Sequence, residues 1–159
     1  MEIVFSLCLP RDEASVPVVR RVCSGAMRRL GVDDDCAHDI EVAVSEACTN
    51  VLKHAASTHD QYDVTVEFSE ATCEIRVVDS GDGFDHSLHA GNVHPSAEGG
   101  RGIHLMRALV DRVDFAHEPE SGTMVHLVKR LALSDDSVLK TLGESVSRRA
   151  VSHGSAVGG

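Results

Sequence analysis

The sequence predicts an α+β fold, a two-layer α/β sandwich in which helices cover one face of a mixed, mostly antiparallel sheet. Three observations predict it. The spacing of apolar residues switches from helical to alternating and back along the chain. The alternating segments come in pairs joined by short turns, as in antiparallel hairpins. The chain's 159 residues, 42% of them hydrophobic, are enough for one domain with a proper core.

The elements follow in order. Residues 2–9 (EIVFSLCL) form a short apolar run ended by Pro10, a strand. Ser15 and Pro17 open a helix, because Ser caps and Pro is tolerated in a first turn. Val19, Val22, Cys23, Ala26, Met27 and Leu30 then recur at helical spacing until Gly31 stops it. Asp33, Asp34 and Asp35 start a second helix, where negative charge suits the dipole, and the pattern runs to about Ala56. Val64, Val66 and Phe68, then Cys73, Ile75 and Val77, alternate with polar residues on either side of a Ser-Glu-Ala turn, which predicts a hairpin. Residues 81–100 hold five Gly and Pro95 with little periodicity and read as a long loop, disordered or acting as a lid. Helical spacing resumes over 101–111, and 113–117 with 123–129 form a second hairpin around 119–122. The expected domain spans residues 1–133. Residues 134–159 read as a C-terminal tail with one helix at 135–149 and then disorder.

Composition narrows the function. Aromatics make up 3% with no Trp, so the core must be mostly aliphatic. The net charge of -10 argues against nucleic acid or an anionic membrane as the main partner, since both need clustered cations. Five Cys without a CxxC or Cys/His metal spacing, four of them inside apolar patterns, read as core residues of a reducing compartment. No signal peptide opens the chain, and no segment approaches the roughly 20 apolar residues of a membrane span. The expected location is the cytoplasm.

Four local patterns carry chemistry. In the stretch EACTNVLKH, Glu46, Asn50 and His54 recur every fourth residue, within about a quarter turn of one another on a helix, opposite Ile40, Val44, Ala47, Cys48, Val51 and Ala55. This reads either as a solvated face or as a magnesium–nucleotide wall, where the amide is a hard ligand and the carboxylate can take a proton. Asp79 keeps the inward parity of Cys73, Ile75 and Val77, and a buried carboxylate needs a donor partner. Gly81 and Gly83 follow it, so the segment is also readable as a tight turn whose Asp bonds its own backbone. A calcium loop counted from Asp79 meets Gly81, Gly83 and Ala90 at ligand positions, and a dinucleotide fingerprint lacks its third Gly. In EGGRGIHLM, Gly99, Gly100, Arg101 and Gly102 stand where a helix begins, either an uncapped Gly-rich loop or a phosphate-binding helix start without a Walker Lys. Thr123 follows on the inward parity of Val125 and Leu127.

Taken in order, Glu-x-x-x-Asn-x-x-x-His, Asp-x-Gly-x-Gly, a loop, Gly-x-Gly and a strand Thr resemble the nucleotide-binding boxes of the GHKL (Bergerat-fold) ATPase and kinase superfamily. LPRDEASVPVVRRV and GRGIHLMRALVDRV add a closer resemblance to bacterial anti-sigma factor serine/threonine-protein kinases, over about residues 3–131. The resemblance implies an ATP-dependent kinase with ATP and Mg2+ that sequesters a sigma factor and phosphorylates an anti-anti-sigma (STAS-type) antagonist. It also implies homodimerisation, which is common in that family. By the same resemblance, Asn50 holds magnesium, Glu46 is the general base and His54 supports the site. Asp79 accepts from the adenine amino group, with Thr123 helping through water, and Gly81 and Gly83 admit the base. Gly100, Arg101, Gly102 and Ile103 contact phosphates, and 85–99 forms the lid, whose His86, His89 and His94 read as solvated. Two other readings stand beside it: a non-catalytic ATP-binding regulatory module, and the catalytic module of a histidine kinase or a small ATPase. The chain lacks an obvious dimerisation helix carrying a phospho-acceptor His before the Asn box.

Overall fold

Apolar alternation builds the sheet, and helical spacing builds the layer above it. In the computed structural model, which describes residues 1–54, 60–79, 101–118 and 122–154, nine elements follow in order. They are β1 (Ile3–Pro10), α1 (Val16–Leu30, led in by a single 3-10 turn), α2 (Asp34–His54), β2 (Gln61–Phe68), β3 (Thr72–Asp79), α3 (Arg101–Leu109), β4 (Arg112–Glu118), β5 (Gly122–Arg130) and α4 (Val138–Gly154). The strands form one sheet in the order β1-β2-β3-β5-β4. All four pairings are antiparallel, so the sheet expected to be mostly antiparallel is wholly so among the described residues.

The inward face carries Tyr62, Val64, Val66 and Phe68 of β2, Cys73, Ile75 and Val77 of β3, and Val125 and Leu127 of β5, all buried. Over it lies α2, whose Ile40, Ala43, Val44, Ala47, Cys48 and Val51 are buried in a continuous stripe. Helix α1 flanks α2 on one side with Val19, Cys23 and Met27, and α3 on the other with Met106. The core is aliphatic and thiol-rich, as the scarcity of aromatics requires. Cys23, Cys36, Cys48 and Cys73 are buried free thiols, and Cys8 alone among the five is exposed.

The helix ends have local causes, with one correction. Gly31 ends α1 at φ 77°, a left-handed conformation that Gly adopts without strain. A Cβ there would also stand 2.6 Å from the Ser137 Cα, so close packing of the tail enforces the same choice. The Asp33 carboxylate accepts from the Asp35 N–H and starts α2 as expected. Ser15, expected to cap α1, makes no capping bond. Its hydroxyl turns inward to the Tyr62 hydroxyl at 2.7 Å, because a buried phenol needs a polar partner. The Asp12 carboxylate caps the preceding turn instead, accepting from the Ala14 N–H at 2.7 Å.

The segment after β5 is tied to the domain. The Asp33 N–H donates to the Ala132 carbonyl, and the Ser137 hydroxyl donates to the Leu30 carbonyl at the end of α1. Helix α4 then buries Leu139 completely while Val138, Leu142 and Val146 stay exposed. Among the described residues, no helix is long and apolar enough to cross a membrane.

Burial sets an alkaline limit on stability. It pushes the Cys23 thiol up to about 12, with the Glu41 charge adding to it, and the Cys48 thiol up to about 12. Burial also raises Cys73, and it carries the Tyr62 phenol to about 12. Each pKa is higher folded than unfolded, so the unfolded chain loses these protons first. Stability is therefore full below about pH 8 and falls as pH rises towards 12, by up to about 1.4 kcal/mol per pH unit for each thiol. Urea unfolding midpoints measured from pH 7 to 10.5 should stay level and then drop. A Cys23→Ala variant should show a shallower alkaline drop.

Candidate functional site

Asp79 is the last residue of β3, and its parity with Ile75 and Val77 turns it inward, where it has no exposed surface. A carboxylate out of water is costly unless a charge and hydrogen bonds meet it. Arg11 meets it. One guanidinium nitrogen, Nη1, donates to Asp79 Oδ2 at 2.7 Å, while Nη2 donates to the Leu52 carbonyl of α2 at 3.2 Å. Arg11 directly follows Pro10 at the end of β1, where its own N–H donates to the Asp60 carbonyl. Since β2 separates β1 from β3, the side chain reaches across the end of β2 to make the pair.

The second carboxylate oxygen is different. Asp79 Oδ1 is buried and has no hydrogen-bond partner among the described residues. Thr123 lies directly opposite Asp79 in the β3–β5 register and is also buried. That end of the sheet therefore presents an open acceptor beside a hydroxyl, inside a low-dielectric environment. Such a pair fits a ligand that brings an N–H donor into apolar surroundings.

Helix α2 carries the next candidate residues. Glu46 and Asn50 are half-buried, one turn apart, on the side of α2 away from its apolar stripe. Glu46 lies against the first turn of α3, where a Cβ added at Gly102 would come within 2.6 Å of Glu46 Oε2. Only a residue without a side chain leaves the carboxylate in that position. Helix α3 is held at its other end by Lys129, whose ammonium donates to the Leu109 carbonyl at 2.6 Å and to Asp39 of α2 at 2.9 Å. One lysine thus neutralises the carbonyl end of α3 and anchors it to α2, while the N–H end of α3 faces Glu46. Arg101 at that end is exposed and Ile103 is half-buried.

Among the described residues, no three His, Cys, Asp or Glu side chains gather into a metal cage. Asn50 offers one neutral amide oxygen on α2, a donor that a divalent cation could share with oxygens of an anionic ligand. Magnesium is commonly held that way, by few protein ligands plus substrate phosphates. The groups on offer are a buried acceptor oxygen at the end of the sheet, the N-terminal end of α3, and a carboxylate beside that helix end.

The structure brings Glu46 against Gly102 at the start of α3, with Asn50 one turn further along α2 and Ile103 packed against the core, and it sets Thr123 opposite Asp79 at the end of the sheet. His54 is the last residue of α2, with its side chain outside the described residues. Gly81, Gly83, Gly100 and the segment 85–99 also lie outside them. Sequence reasoning missed Arg11 and Lys129. It asked for a donor to Asp79, but the partner stands 68 residues away and any of 15 Lys and Arg qualified. An open hollow of about 1000 Å3 between the β2–β3 turn and α4, lined by Glu70, Arg130, Leu131, Lys140 and Glu144 among others, lies at the Thr72 end of β3, remote from Asp79.

Comparison with known proteins places the chain in a family. Residues 9–129 match the histidine kinase-like ATPase domain. The serine-protein kinase RsbW of Bacillus velezensis is 34% identical over 134 residues, covering 77% of this chain and 82% of the relative. RsbW of Bacillus subtilis is 33% identical with the same coverage. RsbW of Halalkalibacterium halodurans is 33% identical over 136 residues, 80% of this chain and 83% of its own. Among solved structures, the RsbU and RsbW domains of Rv1364c from Mycobacterium tuberculosis share the fold with a TM-score of 0.64 at 20% identity, over 86% of this chain and 34% of that one.

The buried pair yields a stability test. Removing one partner leaves the other charge unmatched, so Asp79→Leu alone and Arg11→Met alone should each lower the unfolding free energy by about 3 kcal/mol. The double variant should lose clearly less than the sum, measured by urea unfolding. Additive losses would show that the two side chains do not sense each other.

Proposed function

The chain belongs to the histidine kinase-like ATPase domain family, among relatives that are anti-sigma factor serine-protein kinases, and from that membership we propose that it is an ATP-dependent protein serine/threonine kinase. It binds ATP with Mg2+, sequesters a sigma factor, and phosphorylates an anti-anti-sigma protein of the STAS type. The working form is a homodimer, and its place is the cytoplasm, in keeping with five free thiols and no disulfide.

In this reading the adenine amino group donates to Asp79, with Thr123 assisting through water, and Gly81 and Gly83 leave room for the base. Gly100, Arg101, Gly102 and Ile103 contact the phosphates, His54 supports that end, and 85–99 closes over the nucleotide. Magnesium, held by Asn50, neutralises phosphate charge when bound. Glu46 takes the proton from the acceptor serine hydroxyl as its oxygen bonds to the γ-phosphorus. The bond from that phosphorus to the bridging oxygen breaks, and ADP leaves with the electron pair. Phosphoryl transfer asks for alignment and charge neutralisation more than covalent chemistry, and a helix terminus, one amide and one base can supply both.

The observation that carries this reading is the Glu46 carboxylate set against Gly102 at the start of α3. A module that only binds nucleotide has no need of a carboxylate beside the phosphate end, where it repels the ligand. A carboxylate set there supports the role of base.

Glu46→Gln should retain Mg-ATP binding and lose transfer by about 10²- to 10⁴-fold, measured with γ-labelled ATP and a purified antagonist protein. Transfer at the wild-type rate would remove Glu46 from the role of base. Nucleotide binding without transfer by the wild type, with any antagonist tested, would favour the regulatory module. An acid-labile phosphohistidine product would favour the histidine kinase module.

A further inference from the structure

We infer that Arg11 is a positioning residue that sets base specificity: it holds the Asp79 carboxylate as a one-sided hydrogen-bond acceptor, and so selects a 6-amino purine over a 6-oxo purine. The inference rests on the reading of Asp79 as the base-binding residue and adds to it a determinant from another strand.

The geometry divides the labour between two oxygens of one carboxylate. Oδ2 is occupied by the Arg11 guanidinium at 2.7 Å, while Oδ1 is buried and unpartnered among the described residues. A guanidinium donates only and stays charged at any working pH. Oδ2 is therefore taken up as an acceptor, and Oδ1 is left to accept from a ligand. A 6-amino group completes the open valence. A 6-oxo group instead sets oxygen against oxygen in a place closed to water, and neither acceptor is satisfied.

Arg11 also fixes which way the carboxylate points. Its planar fork spans two partners, Oδ2 of Asp79 on β3 and the Leu52 carbonyl on α2. Leu52 lies between Asn50 and His54, so the same side chain ties the base end of the site to the helix that carries the phosphate end. Without the guanidinium, the buried carboxylate is free to turn, and its open oxygen no longer meets the purine edge in one fixed direction. Lysine keeps the charge but has no fork. It should therefore preserve the purine choice while binding less tightly.

Inosine triphosphate tests this, because it keeps the ribose and triphosphate of ATP and changes the purine edge at position 6. Calorimetric titration of the full chain with Mg-ATP and Mg-ITP should show a clear preference for ATP in the wild type. Arg11→Gln should cut the ATP-to-ITP affinity ratio by about tenfold or more, the scale of one hydrogen bond to a charged group. Arg11→Lys should keep the ratio. A merely structural role would lower both affinities together and leave the ratio alone.

Asp79→Asn, which carries no charge to bury, keeps the inference falsifiable if Arg11→Gln does not fold. Arg11 can bond only the amide oxygen, so the NH₂ must take the place of Oδ1 and the preference should invert towards ITP. In the double variant Asp79→Asn/Arg11→Gln, the amide is free to flip and the inversion should vanish. An ATP-selective wild type whose ratio is unchanged by Arg11→Gln, or an Asp79→Asn variant that still prefers ATP, overturns the role of Arg11 alone. A wild type that binds neither nucleotide overturns the nucleotide reading, and this inference with it.

Discussion

One buried charge organises the site. Asp79 ends β3 with no exposed surface, and a carboxylate in that position persists only with a matched cation. Arg11 supplies the cation from the far side of β2 and extends the tie to the Leu52 carbonyl of α2. The end of β1, the end of β3 and the second half of α2 thus share one side chain. Asp79 spends one oxygen on that tie and keeps the other buried, with no hydrogen-bond partner among the described residues.

Helix α2 is the second element on which the layout turns, because both of its faces are committed. Its apolar stripe from Ile40 to Val51 fills the core over β3 and β5. Its polar line of Glu46 and Asn50 is then left half-buried outside the core, with Glu46 against the start of α3. Gly102 lets α3 come in against Glu46, and Lys129 pins the opposite end of α3 to Asp39 of the same helix. The distance between the Glu46 carboxylate and the start of α3 is therefore set at both ends of α3 by contacts with α2. In the proposed kinase these contacts place the proton acceptor at the start of α3.

The core around these contacts shows how a chain with no Trp compensates. Val, Ile and Cys fill the space beneath α2, and Tyr62 is the one large polar-tipped side chain at its centre. Its phenol is satisfied by Ser15, which costs α1 a side-chain cap and gains a hydrogen bond between the first helical turn and β2. The tail beyond β5 is part of the same economy of polar groups. Ser137 answers a carbonyl left open at the end of α1, and Leu139 adds an apolar anchor beside it.

Short-range physics was legible in the sequence. Alternation in Val64–Phe68 and Cys73–Val77 sorted each strand's faces, Gly31 and Asp33 punctuated the helices, and fourfold spacing lined up Glu46 with Asn50. Parity alone turned Asp79 inward. Periodicity and turn chemistry act within a few residues, so one chain read by itself determines them. What it could not determine was who meets whom. Ser15 could be read as a cap because its competitor Tyr62 lies 47 residues on, and Arg11 was one cation among 15 until the strand order brought β1 within reach of β3. The approach of Glu46 to Gly102 and the grip of Lys129 on α3 belong to the same class. Partner choice for a buried polar group depends on which distant segments the sheet order and helix packing bring together, and only the tertiary structure decided it.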